Sequence, residues 1–118
     1  MDLNNKILDE NVVAQFSSNQ INTYFSLYLK NAQVLIENLQ RDLQNNDLEA
    51  VRQRAHKLKG SSMVVGATVI KDISHEIEEL AKDKEPIEEA KIEALRDNFN
   101  QLSDLLKQRY NLTFNRGA

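Results

Sequence analysis

Apolar side chains at Ile21, Tyr24, Phe25, Tyr28, Ala32, Leu35, Ile36, Leu39 and Leu43 recur at three- and four-residue intervals, with no proline or glycine between them. That period is the signature of a long amphipathic helix burying one face. Ser17-Ser18-Asn19 offers it a cap, and the pattern stops near Asn45-Asn46. The whole 118-residue chain has only one proline and three glycines, and no segment alternates with a period of two. A chain so poor in breakers reads as all-helical.

The other elements follow by the same reasoning. Leu8, Val12, Val13 and Phe16 suggest a short first helix, with Asp9 as its N-cap. Asp47 caps a third helix whose stripe is Leu48, Val51, Ala55, Leu58 and Val65, with Ser62 in register, and Gly66 ends it. Val69 or Ile70, Ile73, Ile77 and Leu80 face inward from a fourth helix. Lys82-Asp83-Lys84-Glu85 makes a polar turn, and Pro86 suits the first turn of a fifth helix. Ile92, Leu95, Phe99, Leu102, Leu106 and Tyr110 form its stripe. Long helices joined by short turns pack as antiparallel neighbours. The expected fold is therefore all-α: an antiparallel up-down-up-down four-helix bundle, with a short additional N-terminal helix over one end or side. Residues 1–118 form one domain on this reading, with 1–7 and 111–118 as flexible ends.

Composition removes several function classes. There is no cysteine, which excludes disulfides and thiolate metal sites. The net charge is −3, with acids and bases interspersed, so neither nucleic acid nor an anionic membrane is the expected partner. No apolar run approaches the about 20 residues of a membrane helix, and Met1–Lys6 lacks a signal-peptide core. A cytoplasmic monomer is the expectation, and the Asn111-Leu112-Thr113 sequon reads as chance. No glycine-rich nucleotide loop is present, so autonomous kinase activity is not expected.

One local rule is broken. Gly60 stands mid-helix, at a cost of roughly 0.5–1 kcal/mol relative to alanine, in the run Ala55-His56-Lys57-Leu58-Lys59-Gly60-Ser61-Ser62. With His56 at zero on a helix turning about 100° per residue, the apolar stripe lies between roughly 80° and 180°. Glu49, Arg52, Lys59, Gly60 and Met63 lie within roughly 60° of His56. His56 thus leaves the core and faces solvent beside a cation and a missing side chain. A neutral imidazole nitrogen is a good nucleophile. Lys59, one turn away, can reach phosphoryl oxygens, and Gly60 leaves room for them. Arg52, Glu49, Met63 and Val64 form a candidate rim for a docking partner. Glu78 and Lys82 on the fourth helix are candidates to orient the imidazole or meet the phosphate, although an ordinary charged helix face is the simpler reading of both. His75 reads as plain surface, and no metal site is expected.

The run His56-Lys57-Leu58-Lys59-Gly60-Ser61-Ser62, followed by Val65-Gly66-Ala67, resembles the signature of histidine-containing phosphotransfer (HPt) domains: H-x-L-K-G-S-S, a short apolar spacer, then L-G-A. Val65 replaces the usual leucine. Ile77-Glu78 resembles the apolar-Glu pair of the following helix. Phosphotransfer domains of chemotaxis kinases carry a related motif, usually with Gly-Gly where this chain has Gly60-Ser61, and are less similar. The resemblance implies that His56 takes a phosphoryl group from a receiver-domain aspartate and passes it to another in a multistep phosphorelay. Lys59 would contact that group and Gly60 would give access. Ser61 and Ser62 would bond within the third and fourth helices. The partners implied are receiver domains of a hybrid sensor kinase or response regulator, which supply the acidic pocket and Mg²⁺; no cofactor of the chain's own is implied. The alternative is a helical docking module that binds a signalling partner without phosphotransfer.

Overall fold

The computed structural model describes residues 7–112 and 114. Five helices follow in chain order: α1 (Glu10–Val13), α2 (Ser18–Gln44), α3 (Leu48–Val65), α4 (Thr68–Lys82) and α5 (Glu89–Tyr110). No strand occurs among the described residues. None of these helices is long and apolar enough to cross a membrane.

Caps set the helix ends much as their residue types dictate. Ser17 and Gln20 form a reciprocal capping box at the start of α2, and the Asp47 carboxylate accepts from the Ala50 N–H at the start of α3. Left-handed residues close all four long helices: Asn46 (φ 57°), Gly66 (φ 79°), Lys84 (φ 57°) and Asn111 (φ 56°). After α2, α3 and α4 the next N–H reaches back to the helix, from Asp47 to the Asp42 carbonyl, Ala67 to Ser62 and Glu85 to Leu80.

The long helices pack in a ring: α2 on α3, α3 on α4, α4 on α5, and α5 back on α2. Tyr28 meets Ser62 while Asp42 meets Arg54, so α2 and α3 run in opposite senses. Gln40 meets Glu89, and Gln33 and Glu37 share a cleft with Arg96 and Asn100, so α5 runs against α2. Only Gly66 and Ala67 join α3 to α4, folding them into a hairpin. Phe25, Leu29, Leu39, Val51, Leu58, Ile70, Ile77, Ile92, Leu95, Leu102 and Leu106 are fully buried between them. Each such side chain contributes about 1.5–3 kcal/mol of transfer free energy.

Four expectations change. Leu29 is core and Tyr24 is 46% exposed, because α2 touches both α3 and α5 and its buried arc is wider than one stripe. The first helix is only the four residues of α1, its run ended by turns before the Ser17 cap. The fifth helix starts at Glu89 rather than at Pro86. Pro86 lies in the connecting segment, where it leaves Ile87 at the N′ position packed against the core, with Ile92 at N4, as in a hydrophobic staple. Past α5, Leu112 is buried and the Phe114 ring stands edge-on to Phe99 at 6.1 Å, so these two residues stay on the bundle. Residues 1–6 and 115–118 of the expected flexible ends, and Thr113 of the sequon, lie outside the described residues.

α1 is tied to the α3–α4 turn. The Asp9 N–H donates to the Gly66 carbonyl at 2.8 Å, and the Asp9 carboxylate accepts from the Asn11 N–H. A Cβ on Gly66 would lie 3.0 Å from Val12 Cβ and 3.2 Å from the Asp9 carbonyl oxygen. Glycine serves there twice, for its positive φ and for the close approach of α1.

Candidate functional site

The α3–α4 hairpin brings His56 opposite Glu78. The helix phase that buries Val51, Ala55, Leu58, Ser62 and Val65 turns the His56 side chain outward, leaving it 64% exposed. Glu78 belongs to the buried face of α4 beside Ile77 and Ala81. Its Oε2 lies 2.8 Å from His56 Nδ1, and its Oε1 lies 2.7 Å from Lys59 Nζ. Burial pushes the Glu78 carboxyl up, but the bonds from Lys59 and His56 outweigh it and hold the group below its ordinary value. An ionised carboxylate only accepts hydrogen bonds, so the proton between Glu78 and His56 sits on Nδ1. That tautomer leaves a lone pair on Nε2, the ring nitrogen on the far side from Nδ1.

The site's other residues fall into place around that pair. Lys59, the cation expected to reach phosphoryl oxygens, is only 23% exposed and is held on Glu78, within one turn of His56. Nothing lies within 4 Å of where a Gly60 Cβ would be. Neither packing nor φ therefore calls for glycine at position 60, and it opens a gap in the surface beside His56. Ser61 bonds the Leu58 carbonyl within α3. Ser62 does not bond within α3 or α4 as expected: its hydroxyl meets the Tyr28 phenol of α2 at 2.7 Å, a buried link under the site. Burial raises the Tyr28 phenol well above its ordinary value, against the smaller opposing effect of Ser62.

Residues 23–105, well over half of the chain, match the family model of the Hpt domain. The chain belongs to the Hpt domain family. Comparison with curated proteins and with solved structures returns no match. Hpt domains act by phosphotransfer in phosphorelays and interact there with receiver domains, and that is the general function of this chain.

Within this Hpt domain the remaining candidates separate. Met63 and Val64 are 57% and 66% exposed on α3. Arg52 and Glu49 form a two-bond ion pair, at 3.0 and 2.6 Å, one turn before His56. Lys82 is exposed one turn beyond Glu78 and makes no ion pair there among the described residues, so the structure does not bring it into the site. Glu78 is the opposite case: its charge is buried against two partners, not spread on a solvated face. His75 is exposed, and no group of three metal-ligating side chains converges among the described residues. Sequence reasoning missed the outer face of α2, where Tyr24, Leu27 and Val34 are 46–54% exposed. Tyr24 and Leu27 line an apolar groove with Phe16, Asn31, Ser61 and Val64. The only sequence signal was that Leu27 and Val34 fall off the core stripe of α2 while remaining apolar.

Proposed function

We propose that His56 is the phosphoryl acceptor and donor of this Hpt domain, exchanging the group with receiver-domain aspartates in a multistep relay. The observation that carries the reading is the exposed ring whose inner nitrogen is bonded to a buried, ionised Glu78. The Nε2 lone pair attacks the phosphorus of the receiver's aspartyl phosphate. A P–N bond forms, the P–O bond breaks, and the aspartate carboxylate leaves with the electron pair. The Nδ1 proton stays in place, so the phosphorylated ring becomes a cation beside the Glu78 carboxylate, which favours it electrostatically. Lys59 is close enough to turn from Glu78 to the phosphoryl oxygens, and Gly60 leaves their approach open. The receiver supplies the acidic pocket and the Mg²⁺.

The basic character of α3 suits such a partner. Arg52, Arg54, Lys57 and Lys59 outnumber the single acid Glu49 on that helix, within a chain of net charge −3. The apolar groove beside Val64 offers the receiver a contact that phosphate chemistry alone does not.

The test is transfer of label from phosphorylated receiver domains of the same source. The reading expects acid-labile, base-stable label on the wild type and none on His56→Gln. Label persisting on His56→Gln, or partner binding and relay output that survive His56→Ala unchanged, would return the chain to a docking role.

A further inference from the structure

The phosphoryl group arriving at His56 carries negative charge on three oxygens, and Lys59 can answer only part of it. α3 has four cations, and two are spoken for or misplaced. Arg54 is bonded to Asp42 of α2 at 3.0 Å, and Lys57 lies about 100° round the helix from His56. The other two flank the histidine on its own face, Lys59 three residues after it and Arg52 four residues before. Helical side chains lean towards the N-terminus, so the His56 ring is carried over the turn that bears Arg52. The charge of Glu78 also reaches the Arg52 guanidinium, adding to the stronger pull of Glu49. Arg52 is thus a neighbour of the site, and its present partner stands in solvent: the Glu49 side chain is 63% exposed, and its Oε2 is shared between Arg52 and Gln53. An exposed ion pair of this kind is worth little in water and exchanges readily.

We propose that Arg52 is a second cation for the phosphoryl group, held in reserve by Glu49: its guanidinium leaves the Glu49 carboxylate and takes phosphoryl oxygens at the Nε2 side of His56. The inference rests on His56 being the acceptor. A planar guanidinium suits this exchange, because the two-donor fork that grips a carboxylate grips two phosphoryl oxygens equally well. Glu49 then sets how much free Arg52 is available. Removing its charge speeds transfer, and removing Arg52 slows it.

Phosphoramidate tests this without any receiver, since it phosphorylates an accessible imidazole directly. The rate of label appearing on His56 is followed in wild type, Arg52→Ala, Arg52→Lys, Glu49→Gln and the Arg52→Ala/Glu49→Gln double variant. Arg52→Ala is expected to slow labelling roughly three- to tenfold, with Arg52→Lys keeping part of the rate. Glu49→Gln is expected to raise it by up to roughly fivefold, and this gain should vanish in the double variant. A rate insensitive to Arg52, or a Glu49→Gln gain that persists without Arg52, overturns the inference. So does a slowing seen with a phosphorylated receiver and absent with phosphoramidate, which would place Arg52 on the partner protein. Wild type that takes no label on His56 from either donor would remove the acceptor reading itself, a result distinct from normal labelling that ignores Arg52.

Discussion

Glu78 Oε2 stands 2.8 Å from Nδ1 of His56, joining a buried residue of α4 to the most exposed ring of the site. The same carboxylate holds Lys59 by its other oxygen. One acid therefore fixes the tautomer and orientation of the histidine and parks the cation beside it.

This arrangement has a pH signature. The folded-state pKa of Glu78 is lowered, so its contribution to stability is present above the unfolded value of about 4.3 and is lost as pH falls through the lower folded value. Urea unfolding of wild type and Glu78→Gln, followed from about pH 7 to about pH 3, should show the wild type losing its advantage over the variant below about pH 4.3. Curves that stay parallel over that range would contradict the ion-pair account. Glu78→Ala should also slow phosphorylation of His56, because the ring loses the partner that keeps Nδ1 protonated.

On the proposed reading Gly60 serves access to His56, at a cost to the helix. Since a Cβ there meets nothing within 4 Å, Gly60→Ala should raise stability by about 0.5–1 kcal/mol. Gly60→Gln should fold normally and slow transfer from a receiver by roughly tenfold or more, as its side chain fills the approach to His56. A destabilised Gly60→Ala, measured by urea midpoint, would place a packing role on that glycine instead.

Gly66 should behave in the opposite way. Its φ of 79° and the 3.0 Å approach of Val12 predict a loss of about 1–3 kcal/mol for Gly66→Ala. A thermal melt unchanged from wild type would show that α1 is not seated as described.

The Tyr28–Ser62 link predicts a coupled pair. Tyr28→Phe strands the buried Ser62 hydroxyl and should cost about 1–3 kcal/mol, and Ser62→Ala should recover part of that in the double variant. Strictly additive losses would mean that the two hydroxyls do not depend on each other.

Helix phase and caps carried most of the fold in the sequence. Ser17, Asp47 and Gly66 announced their helix ends because capping chemistry is local. Pro86 misled because proline is compatible both with a first helical turn and with an extended approach, and the packing of Ile87 decides between them. The exposure of His56 and the company of Lys59 and Gly60 followed from one helical wheel. Glu78 was legible only as a candidate, since whether an acid lies on the solvated or the buried edge of α4 depends on where α3 sits. The Tyr28–Ser62 bond spans 34 residues and had no local signal at all.

The most direct test of the central claim is the position of the phosphoryl group in the phosphorylated protein, read by ¹⁵N and ³¹P NMR of the histidine rings. The account predicts phosphorus bonded to Nε2 of His56, with Nδ1 still carrying its proton towards Glu78. Phosphorus on Nδ1 of His56, or on His75, would contradict it.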